Sequence, residues 1–152
     1  MHTQLIDYHD AGDTLEGYVA YDETKPSPLP TVLIIHAWGG KDEFVCEKAD
    51  YLASRGYVVF AVDIYGKGKR GNNPDENTKL MMPFIEDRAL LRKRLLAAFE
   101  TAKTLNVVDN NRIGAMGFCF GGLCALDLAR SGADVKGVVS FHGLFMPPEN
   151  LA

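Results

Sequence analysis

At 152 residues the chain is long enough for one domain with a core of its own. Its 16 basic against 20 acidic side chains leave a net charge of -4, which supplies no positive field for nucleic acid or an anionic membrane. No apolar run approaches the ~20 residues of a membrane span, the N-terminus lacks a signal-peptide pattern, and Cys46, Cys119 and Cys124 show no C-x-x-C spacing, so a cytoplasmic protein with free thiols is expected.

Residues 3–8 and 15–21 alternate apolar and polar side chains in part. Asp10-Ala11-Gly12-Asp13 between them has turn composition, which predicts an antiparallel hairpin ended by Pro26, Pro28 and Pro30. Residues 31–35, 57–62 and 135–141 are apolar runs of the kind that form parallel strands covered on both faces. Between the first two, residues 42–55 predict a helix with Val45, Ala49 and Leu52 on one face and Gly56 as its stop. Residues 63–81, rich in glycine and asparagine, read as a long loop. A second helix is predicted from Met82 or Glu86 to Leu105, with Leu91, Leu95, Ala98, Ala102 and Leu105 in one stripe. A strand over 112–116 and a helix over 123–130 follow. This order predicts an α/β fold, a doubly wound, mostly parallel sheet. Ligands of such sheets bind beyond the carboxyl ends of the strands, where His36, Cys119 and His142 fall.

Cys119 lies in Gly117-Phe118-Cys119-Phe120-Gly121-Gly122, between a predicted strand and a predicted helix. That is the G-x-nucleophile-x-G turn, in which a nucleophile on a sharp strand-to-helix bend needs nearly side-chain-free residues two before and two after it. The plainer alternative is a glycine-rich turn around a buried cysteine. Nucleotide binding fits poorly, because the glycines match neither G-x-G-x-x-G nor a P-loop.

Three blocks, Leu33-Ile34-Ile35-His36-Ala37-Trp38-Gly39-Gly40, Ala61-Val62-Asp63-Ile64-Tyr65-Gly66 and the segment from Asp109 to Gly122, resemble the dienelactone hydrolase family of α/β-hydrolases, whose nucleophile is a cysteine in a G-x-C-x-G-G elbow. The resemblance covers essentially the whole chain. It implies one domain over residues 1–152, an α/β-hydrolase core running through the sixth strand and truncated at its C-terminal side. It further implies hydrolysis of carboxylic esters or lactones through a cysteine thioester, with no metal and no organic cofactor. Cys119 matches the nucleophile, and the backbone N–H groups of Trp38 and Phe120 match the oxyanion donors. Ala37 stands where better-known members carry a glutamate that engages the resting thiol, and their substrate-binding arginines have no counterpart. The family's triad aspartate and histidine lie after later strands, and no residue here is assigned to them.

His36 and His142 read as hydrogen-bonded structural histidines beside a pocket that would include Ala37. The alternative is a Cys–His pair, or a three-ligand metal site with Cys119. Asp63 reads as a loop cap, Cys124 as core, and Arg88 with Arg92 as a solvated helix face or an anion site. The competing functional class is a non-catalytic truncated hydrolase fragment or pseudoenzyme that binds small acyl compounds or is completed by a partner chain. An open edge along residues 135–141 predicts self-association or completion by another polypeptide.

Overall fold

In the computed structural model, which describes residues 1–149, the chain opens with a hairpin of β1 (His2–Asp10) and β2 (Asp13–Tyr21). Ala11 and Gly12 form its turn, both at positive φ (48° and 87°), a geometry whose twist suits the flanking strands. Then follow β3 (Leu29–Ile35), α1 (Glu43–Ala53), β4 (Val58–Val62), α2 (Pro74–Glu86), α3 (Arg88–Lys103), β5 (Val108–Phe118), α4 (Phe120–Arg130) and β6 (Val138–Phe141). One sheet holds all six strands in the order β1-β2-β4-β3-β5-β6. The pairs β3–β4, β3–β5 and β5–β6 are parallel, and the hairpin joins through an antiparallel β2–β4 pair.

Side chains alternate across the sheet, so helices cover both faces. Ile34, Val59 and Ala61 pack under α1, whereas Leu33, Ile35, Phe60, Val62 and Ile113 pack under α3 and α4. The doubly wound arrangement is therefore the observed one. It sets β3, β5 and β6 side by side, and with them the residues that follow Ile35, Phe118 and Phe141.

The structure corrects three expectations. Residues 63–81 are not one long loop, because α2 begins at Pro74. The Asn73 side chain caps it by accepting the Glu76 N–H at 2.9 Å, and the Glu76 carboxylate reaches back to the Asn72 N–H at 2.9 Å. Asn, Pro and Glu at these offsets are a helix start signal that loop composition obscured. Of the two starts predicted for the second helix, Glu86 lies close to that of α3, whereas Met82 falls inside α2; the chain breaks at Asp87, which ends α2 and caps α3 by accepting the Leu90 N–H at 3.1 Å. The sixth strand is shorter than residues 135–141 and is covered on one face only: Val139 is 51% and Phe141 42% exposed.

Arg88 is no solvated side chain. It ties α3 to α4 by gripping Asp127 of α4 with two bonds of 2.6 Å, and Arg130, on the same helix as Asp127, adds a third to that carboxylate at 3.0 Å. Arg94, which is buried, reaches from α3 to Asp10 and Asp13 at the hairpin turn.

Candidate active site

Cys119 is the residue between β5 and α4, with φ 55° and ψ -114°, a backbone region that ordinary residues avoid. Its N–H donates to the Phe141 carbonyl at 2.9 Å, and its own carbonyl accepts the amides of Gly122 (2.9 Å) and Leu123 (3.3 Å). The bend is thus fastened to the end of β6 on one side and to the first turn of α4 on the other. The glycines around it are steric requirements. A Cβ on Gly117 would stand 2.8 Å from the Gly122 nitrogen, one on Gly121 2.6 Å from the His36 carbonyl oxygen, and one on Gly122 2.8 Å from the Gly143 Cα. The third glycine of the run is therefore required by Ser140 of β6 and by Gly143 just after it, which the spacing of the elbow alone does not indicate.

The contact between Gly121 and the end of β3 brings the first turn of α4 against the loop that carries His36, Ala37 and Trp38. His36 is 1% exposed and uses both ring nitrogens on backbone. The Ile64 N–H can only donate, so Nε2 accepts it, at 3.1 Å; Nδ1 then carries the proton and donates it to the Ala37 carbonyl at 2.7 Å. Burial pushes the His36 pKa down, partly opposed by the Ala37 carbonyl and by Asp63. The neutral imidazole is thus a strut, as the structural reading expects.

Asp63 holds the neighbouring loop. Its carboxylate accepts the amides of Glu16 (3.0 Å), Tyr65 (3.1 Å) and Gly66 (3.0 Å). Tyr65, which the sequence reading passes over, donates its hydroxyl to the Trp38 carbonyl at 2.8 Å and stacks on Phe120 with ring centroids 5.9 Å apart. Burial raises the Tyr65 pKa, which keeps the hydroxyl a donor. A hydroxyl-bearing aromatic just past the carboxyl end of β4 was the available signal. Among the described residues, neither the Trp38 nor the Phe120 N–H has a hydrogen-bond acceptor.

Of the residues expected to line a pocket, His36, Ala37 and His142, the two histidines differ in their surroundings. His36 is enclosed, whereas His142 is exposed at positive φ (40°) just after β6, its ring 6.4 Å from that of Phe118. Among the described residues no group of three His, Cys, Asp or Glu side chains could hold a metal, so the three-ligand alternative does not form. Cys124 is core, and burial raises its thiol pKa well above the ordinary value; burial also raises that of half-buried Cys46. Among the described residues no helix is long and apolar enough to cross a membrane.

The model of the dienelactone hydrolase family matches residues 15–152. The chain belongs to that family. It is 33% identical over 146 residues to a putative carboxymethylenebutenolidase of Aquifex aeolicus, covering 93% of this chain and 62% of the relative. Among solved structures it resembles m3DLH with a TM-score of 0.93 at 34% identity, over 96% of this chain and 61% of that one. A dienelactone hydrolase-like promiscuous phosphotriesterase from metagenomic libraries superposes with a TM-score of 0.92 at 31% identity, over 97% and 61%. The chain therefore spans about three fifths of the length of these relatives. The six-stranded sheet is the α/β-hydrolase core of this dienelactone hydrolase family member, and Cys119 occupies its strand-to-helix elbow.

Proposed function

We propose that this chain carries the nucleophile of a carboxylic ester or lactone hydrolase that works through a thioester on Cys119. The observation that carries the reading is the strained Cys119 backbone, wedged between glycines that admit no side chain, at the N-terminus of α4. The Cys119 thiolate attacks the carbonyl carbon, forming a C–S bond while the carbonyl electron pair moves onto oxygen. The Trp38 and Phe120 amides donate to that oxygen, and the positive end of α4 lies on the same side. Collapse re-forms the carbonyl and expels the alkoxide, which takes a proton; water then cleaves the thioester to the acid and the free thiol. The putative carboxymethylenebutenolidase name of a relative favours lactones among the substrates.

Among the described residues no base is hydrogen-bonded to the Cys119 side chain to activate it as a nucleophile. We therefore expect slow release of p-nitrophenol from p-nitrophenyl acetate, lost in Cys119→Ala. Release that persists undiminished in Cys119→Ala overturns the reading. A partner-completed module is the second reading, favoured by the exposed face of β6 and by its edge, unpaired among the described residues.

A further inference from the structure

The Ala37–Trp38 peptide is held from one side. A trans peptide points its C=O and N–H in opposite directions, so whatever fixes the Ala37 carbonyl also fixes where the Trp38 N–H points. That carbonyl accepts the His36 Nδ1–H at 2.7 Å and, more weakly, the Gly40 N–H at 3.2 Å. The ring that makes the shorter bond is held in place, because its Nε2 is anchored on the Ile64 N–H and it lies tilted beside the rings of Tyr65 (centroids 4.9 Å apart) and Phe120 (6.3 Å). The next peptide is pinned as well, through the Tyr65 hydroxyl on the Trp38 carbonyl. Tyr65 and His36 thus grip Trp38 from both neighbouring peptides, and both pack on Phe120, the other unpartnered amide.

We infer that His36, assisted by Tyr65, is a positioning residue that aims the Trp38 N–H at the oxyanion, a role that rests on the proposed thioester chemistry. His36 does not touch the reacting atoms and exchanges no proton. Its two nitrogens have separable duties: the Nδ1–H sets the peptide, and Nε2 holds the ring to the β4 loop.

Two substitutions separate these duties. In His36→Asn the amide nitrogen can stand near Nδ1 and keep donating to Ala37, but the tie to Ile64 is lost. In His36→Gln the longer side chain can accept from Ile64 while the donor to Ala37 is lost. The readout is the rate at which Cys119 is acetylated by p-nitrophenyl acetate, followed by intact mass, beside its rate of alkylation by iodoacetamide. Alkylation at sulfur raises no oxyanion and so does not use the Trp38 amide. Because removing an oxyanion donor outright costs about 100-fold or more, misaiming one should slow acetylation by about 10-fold in His36→Gln and about threefold or less in His36→Asn. Alkylation should stay within about twofold of the parent chain in both, as expected when no oxyanion forms. Tyr65→Phe, which keeps the ring and removes the second pin, should slow acetylation without slowing alkylation and serves if the His36 variants fail to fold. Acetylation of His36→Gln at the parent rate, or equal losses of acetylation and alkylation in the variants, would overturn the inference. Undiminished acetylation in Cys119→Ala would instead remove the thioester reading itself, so the two failures are distinguishable.

Discussion

A Cβ on Gly121 would stand 2.6 Å from the carbonyl oxygen of His36, and closer still to that of Ile35. Backbone meets backbone there, with no flexible side chain to move aside. Gly121→Ala must push the first turn of α4 away from the end of β3, at a cost of about 3 kcal/mol. That corresponds to a fall of roughly 6–12 °C in melting temperature for a chain of this size. Gly132→Ala is the control with open space around it, although its φ of 85° adds a smaller strain cost. A melting curve for Gly121→Ala that overlays the parent's would show that the contact is loose.

Thiol chemistry should single out one cysteine. Burial holds the Cys46 and Cys124 thiols above their ordinary pKa, and Cys124 is fully enclosed. Iodoacetamide at pH 8 should therefore modify Cys119 first, read by peptide mapping at low conversion, since the thiolate is the reacting form. Equal early labelling of Cys46 would contradict this.

The neutral state of His36 makes stability depend on pH in a definite direction. Its folded-state pKa lies below the ordinary 6.5, chiefly through burial, so the unfolded chain binds the extra proton first. The His36 contribution is complete above about pH 6.5 and is lost as pH falls through the folded-state pKa. Asp63 and Asp42 favour the charged ring and Lys41 opposes it, but burial outweighs the carboxylates. Urea unfolding between pH 7.5 and pH 5 should show a steeper loss of stability for the parent chain than for His36→Asn. Parallel pH profiles for the two would remove His36 as the titrating group.

The β6 edge, unpaired among the described residues, should govern solution behaviour. The amide of Ala115 donates to Gly137 and that of Cys119 to Phe141, so odd-numbered residues of β6 face β5. The backbone groups of Val138 and Ser140 then face away, and among the described residues no strand pairs with them. Exposed Val139 and Phe141 continue into a groove lined by Lys48, Tyr51, Leu52, Met116 and Phe118. Sedimentation should show self-association that weakens in Val139→Lys, because a charge on an edge strand opposes pairing. A monomer across a wide concentration range would count against it.

The hairpin, the parallel strands and the elbow were legible in the sequence because each is a local matter. Alternation, apolar runs and the glycines flanking Cys119 reflect the constraints of short backbone segments. The start of α2 was equally local, in Asn73-Pro74-Asp75-Glu76, but its polar composition resembled a loop. The short sixth strand, by contrast, reads as fully buried because its composition is apolar, and composition does not say whether a neighbour covers the outer face. The duties of His36 and Tyr65 and the pairing of Arg88 with Asp127 depend on groups 28, 27 and 39 residues away in the chain. No spacing rule reaches that far, because such contacts form only when the crossovers bring the carboxyl ends of β3, β4 and β5 together. The sequence by itself determined the fold class and the sharp strand-to-helix turn at Cys119; which way the ring and the peptides around Cys119 point was decided by tertiary packing.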